Sequence, residues 1–196
     1  MAHPCSKCRT RCLEHIWHYR AKMLRHDVIP LINIMKKIHK FNHRDILNRE
    51  LFLLSVDNIS EVLPLPEKEN DNFALLLLMD GRDKLVGDLG IIPQQLIEYG
   101  LVYLCTWGND CERIHDIFTI QIEIENEKEI PIMTTWHDDE SIDETLWFFL
   151  FNTFPDDKYF DTCKTAIVIS VGNSEWEEQL RNGMSDIDAL DNRVEV

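Results

Sequence analysis

The apolar residues of this chain fall into short runs separated by polar, Pro- or Gly-punctuated stretches. Four of these runs, residues 73–79, 101–107, 130–136 and 165–171, are rich in Leu, Ile and Val. Short apolar runs of this kind mark strands buried on both faces. Helix signals lie between them. Pro93 opens residues 94–99 and Gly100 stops them, residues 110–118 follow, Ser141 begins a stretch ending before Pro155, and residues 174–181 precede Gly183. Strand alternating with helix predicts an α/β fold, a short and mostly parallel sheet of four to five strands with helices on both faces. Residues 119–125 alternate polar residues with Ile and are expected to form a hairpin or an edge strand.

Ahead of this pattern, Leu13, Ile16, Trp17 and Leu24 are spaced for one helical face and Pro30 suits a first helical turn, so two or three helices are expected over residues 10–54. The Pro-punctuated polar stretch 64–72 reads as a linker. The organisation expected is therefore a helical head and linker over residues 1–70, an α/β domain over 71–183 and a frayed acidic tail over 184–196.

Charge sharpens this division. Residues 1–50 hold 11 Lys or Arg against 4 Asp or Glu, so the formal charge of −15 leaves −22 on the rest. An acidic body repels phosphate backbones and favours a basic protein partner, so the main domain is not expected to bind nucleic acid. No apolar run approaches the ~18 residues a spanning helix needs, and the terminus MAHPCSKCRTRC has no apolar export core, so a cytoplasmic protein is expected. The six cysteines then read as free thiols or metal ligands rather than a disulfide framework. Cys5, Cys8, Cys12 and His15 have the ligand types for zinc at unusually tight spacing. Zinc in the head is the one cofactor this leaves open; none is expected elsewhere.

In a parallel α/β sheet, ligands bind beyond the carboxyl ends of the strands. That rule selects Asp80, residues 108–112, residues 137–140 and residues 172–174. Cys111 sits in the first turn of an expected helix, where the dipole lowers a thiol pKa, and His115 follows one turn later. With His137 and Asp80 these residues outline a thiol or metal-assisted hydrolase. Flanking Asp110 and Glu112 oppose the thiolate, and small buried cysteines are common. His115, Asp116, His137 and Asp138 are also a candidate metal set, without the spacing that would fix them together. Trp107 and Trp136 close two neighbouring strands, as walls for a planar ligand or as core lids. Ser141 and Glu144 have capping-box spacing. The chain has neither GxxxxGK[ST] nor GxGxxG, which removes the usual nucleotide-binding signals, and no GxSxG elbow.

The blocks spanning residues 101–116 and 133–141, with their Trp-Gly, Asp-Cys-Glu, His-Asp and Thr-Thr-Trp-His elements, resemble an uncharacterised bacterial family of unknown function over about residues 72–182. The resemblance implies no activity. The leading expectation is a small acidic partner-binding protein of the immunity, antitoxin or defence-accessory kind, with contacts from Asp110, Asp138 and the aromatic stretch 146–151, especially Trp147 and Phe151, which is apolar around most of a helix. An enzyme at the strand-end cleft and a small-ligand sensor walled by Trp107 and Trp136 are the alternatives.

Overall fold

A computed structural model describes residues 36–67, 72–82, 86–89, 91–125 and 131–194. The chain divides into two units, Met1–Asn33 and Ile34–Val196, and all the described residues belong to the second. The proposed ligands Cys5, Cys8, Cys12 and His15 lie outside them.

The apolar runs become strands of one sheet. Its strands are β1 (Lys37–Arg44), β2 (Glu50–Val56), β3 (Asn72–Leu78), β4 (Leu101–Trp107), β5 (Met133–His137) and β6 (Cys163–Val171), in the order β1-β2-β6-β3-β4-β5. β1 runs antiparallel to β2 and every other pairing is parallel. The α/β class and the mostly parallel sheet agree with the sequence pattern. The sheet has six strands rather than four or five, because β1 and β2 come from the stretch expected to be helical. Leu51 and Leu53 pack on one face of the sheet while Phe52, Leu54 and Val56 pack on the other, the burial of a strand and not of a one-faced helix.

Both faces are covered. Along β3, Phe73, Leu75 and Leu77 face α1 (Val86–Leu89), α2 (Ile92–Glu98) and α3 (Cys111–Glu125), which contribute Leu89, Ile92, Leu96, Ile114 and Phe118. Ala74, Leu76 and Leu78 face α4 (Ile142–Asn152), α5 (Ser174–Ser185) and α6 (Ile187–Arg193), which contribute Leu146, Phe149, Leu180 and Leu190. Residues 119–125 are not an edge strand but the last turns of α3: Phe118 and Ile122 turn inward one helical turn apart, while Ile120 and Ile124 are exposed. The tail expected to fray holds α6, capped by the Asp186 side chain accepting from the Ala189 N–H at 2.9 Å and pinned by buried Leu190. Part of the expected linker is packed as well, with Leu65 in the core.

The β1–β2 turn holds the most deeply buried charge pair among the described residues. Asp45 Oδ1 accepts the Leu47 and Arg49 backbone N–H groups at 3.0 and 2.9 Å, and its Oδ2 meets Arg49 Nε at 2.5 Å. Arg49 then donates from Nη2 to the Phe149 carbonyl at 2.8 Å and from Nη1 to Thr153 Oγ1 at 2.9 Å. These acceptors lie at the carboxyl end of α4, where helix carbonyls lack internal partners. Both side chains of the ion pair are 0% exposed, so removing one leaves a buried, uncompensated charge. We expect Asp45→Asn to cost about 3–5 kcal/mol in urea unfolding. The Asp80–Arg82 pair has the same 2.5 Å separation, but its side chains are 39% and 65% exposed, so Asp80→Asn is expected to cost under about 1 kcal/mol. Equal losses for the two variants would contradict this assignment.

Candidate functional site

Parallel strands bring their carboxyl ends, and the loops that follow them, to one edge. At the ends of β3 and β4 a polar knot forms. Asp80 Oδ1 accepts from Arg82 Nε at 3.0 Å and Asp80 Oδ2 from Asn109 Nδ2 at 3.3 Å. The hydrogen bond from Arg82 holds the Asp80 carboxyl down at about 2. Arg113 bridges the same loops, donating to Asp110 Oδ2 at 2.5 Å and to the Gly81 carbonyl. Gly108 makes the close approach possible: its φ is +118°, and a Cβ there would lie 2.5 Å from the Met79 carbonyl oxygen. Asp80 and Asp110 are thus neighbours in a closed network, each already paired with an arginine.

Cys111 opens α3 as expected, but it is buried, and desolvation pushes its thiol pKa up despite hydrogen bonding from the His137 backbone. A helix N-terminus does not by itself make a thiolate when the sulfur is sealed from water. The two histidines part company across β5. Thr134 and Trp136 turn toward α3, where His115 Nε2 lies 2.9 Å from Thr134 Oγ1 and its ring is 4.9 Å from the Trp136 ring. Thr135 and His137 turn the other way, with His137 Nε2 3.1 Å from Thr135 Oγ1 and its ring 4.7 Å from Phe148 on α4. Successive side chains of a strand point to opposite faces, so His115 and His137 are divided by the sheet. The structure therefore does not bring His115 and His137 together, and among the described residues there is no group of three metal-capable side chains.

Trp107 and Trp136 do not wall one site either. Trp107 packs on the α4 side, donating its indole N–H to the Glu140 carbonyl at 2.8 Å and meeting Trp176 edge-on at 5.2 Å. Trp136 lies on the α3 side, against His115. Adjacent strands in register place these residues one position out of step, Thr106 opposite Trp136 and Trp107 opposite His137, which sends the two indoles to opposite faces.

The expected aromatic surplus on α4 is present. Ser141 caps the helix, with its Oγ accepting the Glu144 N–H at 3.2 Å and Glu144 Oε2 accepting the Ser141 N–H at 2.7 Å. Leu146, Phe149 and Leu150 are buried in the sheet core, Trp147, Phe148 and Phe151 are half-buried, and Phe154 is 52% exposed. Trp147 stacks on Phe151 at 5.4 Å, and its indole N–H donates to Asp191 on α6 at 2.6 Å. Over the first turns of α4 lies a cavity of about 690 Å³ whose lining includes His137, Glu140, Asp143, Glu144, Trp147 and Phe148. Asp138 is exposed in the loop that leads into it. Sequence reasoning named His137, Trp147 and Phe151 individually and took in Glu140 and Phe148 only within the stretches 137–140 and 146–151; it missed the covering role of α6. The all-round apolar helix was the available signal for Phe148; α6 was hidden because its sequence is acidic and short.

A neutral, buried thiol predicts slow chemistry. In native protein near neutral pH, Cys105, Cys111 and Cys163 are expected to resist iodoacetamide under conditions that fully alkylate the urea-unfolded chain, as read by peptide mass mapping. The Cys105 thiol, held at about 12 by complete burial, should be the last to react. Rapid native labelling of Cys111 would contradict the sealed position assigned to it.

Among the described residues no helix is long and apolar enough to cross a membrane. No curated protein matches the chain. Residues 54–187 match a family described as a domain of unknown function (DUF7684). That span takes in β3 to α5, and with them the strand-end loops and the α4 groove apart from its Arg193 and Val194 wall. The chain belongs to this family of unknown function.

Proposed function

We propose that this protein acts by binding another protein, in the manner of an immunity, antitoxin or defence-accessory protein, and that it docks through the outer side of α4. One observation carries the reading. α4 buries its sheet-facing Leu146, Phe149 and Leu150 completely and still leaves Trp147, Phe148 and Phe151 partly exposed, with Phe154 exposed just past its end, and Trp147 and Phe148 line a cavity with a carboxylate rim. Partly exposed aromatics clustered on one rigid element are the residues that dominate binding energies at interfaces. The charge of −22 beyond residue 50 favours a basic partner and rapid, salt-sensitive association.

The enzymatic alternative has less support. It requires Cys111, His115 and His137 to converge, and the sheet separates the histidines while burial keeps the thiol neutral. A ligand sensor walled by Trp107 and Trp136 loses its walls for the same reason.

The test is a pull-down from the native host, with partners identified by mass spectrometry and affinities then measured with the purified partner. Phe148→Ser and Phe154→Lys are expected to weaken binding at least about ten-fold, equivalent to about 1.4 kcal/mol, with circular dichroism unchanged. Ile124→Ser, at an exposed position of α3 on the other face of the sheet, is expected to bind as the parent does. Partners retained equally by all three variants would overturn the reading.

A further inference from the structure

We infer that the α4 groove receives a Lys or Arg side chain from a basic segment of the partner protein. The inference rests on the docking reading above and specifies the chemistry of the occupant. The groove offers two kinds of surface to a ligand. Three carboxylates, Glu140, Asp143 and Glu144, line it, and among the described residues Arg193 is the cationic side chain in the lining. Trp147 and Phe148 supply ring surface, and because the Trp147 N–H is already given to Asp191 at 2.6 Å, the indole contributes its ring rather than a donor. Carboxylates beside aromatic rings are the combination that holds an ammonium or guanidinium, by ion pairing on one side and by ring-quadrupole attraction on the other.

The internal bonds of the groove decide which sign of charge it takes. The cap takes part of the positive end of α4, since Ser141 and Glu144 satisfy each other's backbone N–H groups, and an anion approaching the remaining first-turn donors would meet three carboxylates. Asp143 is shared between Arg193 Nε at 2.9 Å and Gln179 Nε2 at 3.2 Å. Glu140 is different. Its Oε1 lies 3.3 Å from His137 Nδ1, and its side chain stays 45% exposed at the mouth of the groove. It is the carboxylate placed to meet an incoming cation. A volume of about 690 Å³ lies within the usual range of about 300–1,000 Å³ for ligand pockets and leaves room for backbone on either side of the inserted side chain.

The experiment is an amide NMR titration of the full chain with the blocked peptide Ala-Arg-Ala-Ala-Arg-Ala, alongside the same peptide carrying neutral citrulline for arginine. The arginine peptide is expected to shift the Ser141, Glu144 and Phe148 amides and the Trp147 indole saturably, and the citrulline peptide to shift them far less. Glu140→Gln is expected to weaken the arginine peptide about ten-fold, while Glu112→Gln, which removes the same charge from α3, leaves it unchanged. Equal shifts by both peptides, absence of a saturable shift, or equal weakening by the two Glu→Gln variants would overturn the inference, the last by showing diffuse attraction to an acidic body. Such a failure is separable from failure of the docking reading: if Phe148→Ser still releases the partner, α4 remains the docking face and only the cationic occupant is lost.

Discussion

A guanidinium with no solvent exposure must find acceptors inside the protein, and Arg49 finds them in two places that are far apart in sequence. One is Asp45, within its own turn; the other is the carboxyl end of α4, through the Phe149 carbonyl and Thr153. The same contacts serve both partners. The Phe149 carbonyl at the end of α4 receives a charged donor beside the Thr153 hydroxyl, and the β1–β2 turn is fixed to the layer that covers the sheet. Because α4 is held at this end, its outer residues are presented in a defined direction. The groove over its first turns depends on that placement.

A second constraint comes from the sheet. Strands buried on both faces need helices on both sides, and the side chosen by each crossover settles which loop residues can meet. α3 leaves β4 on one side and α4 leaves β5 on the other. β5 is therefore a partition, with His115 and Trp136 on the α3 side and His137 and Phe148 on the α4 side. Residues that share the carboxyl edge of the sheet do not for that reason share a site.

The central strands were legible because residues 73–79, 101–107 and 165–171 are continuous apolar runs, and the α4 start was legible from the Ser141 and Glu144 spacing. The β1–β2 hairpin was not. Asp45 and Arg49 stand four apart with opposite charge, which matches a helical pair, whereas here that spacing closes a turn in which Asn48 adopts φ 61°. Residues 119–125 misled in the opposite direction, since alternate Ile residues at 120, 122 and 124 imitate a strand although Phe118 and Ile122 mark the helical face. Within the candidate site, residue types at strand ends were visible in the sequence, but strand parity, which decides the face each one occupies, was not. The family match agrees with the expectation of an uncharacterised family of unknown function and extends toward the amino terminus as far as residue 54, inside β2.

A partner is proposed to dock on the outer side of α4. Site-specific photo-crosslinking in the native host tests it most directly, with benzoylphenylalanine placed in turn at Phe148 and at Ile124. One discrete adduct is expected from position 148, with the cross-linked peptide mapping to a Lys- or Arg-bearing segment of a single partner, and no matching adduct from position 124. The same adduct from both positions, or none from position 148 while the partner still co-purifies, would contradict it.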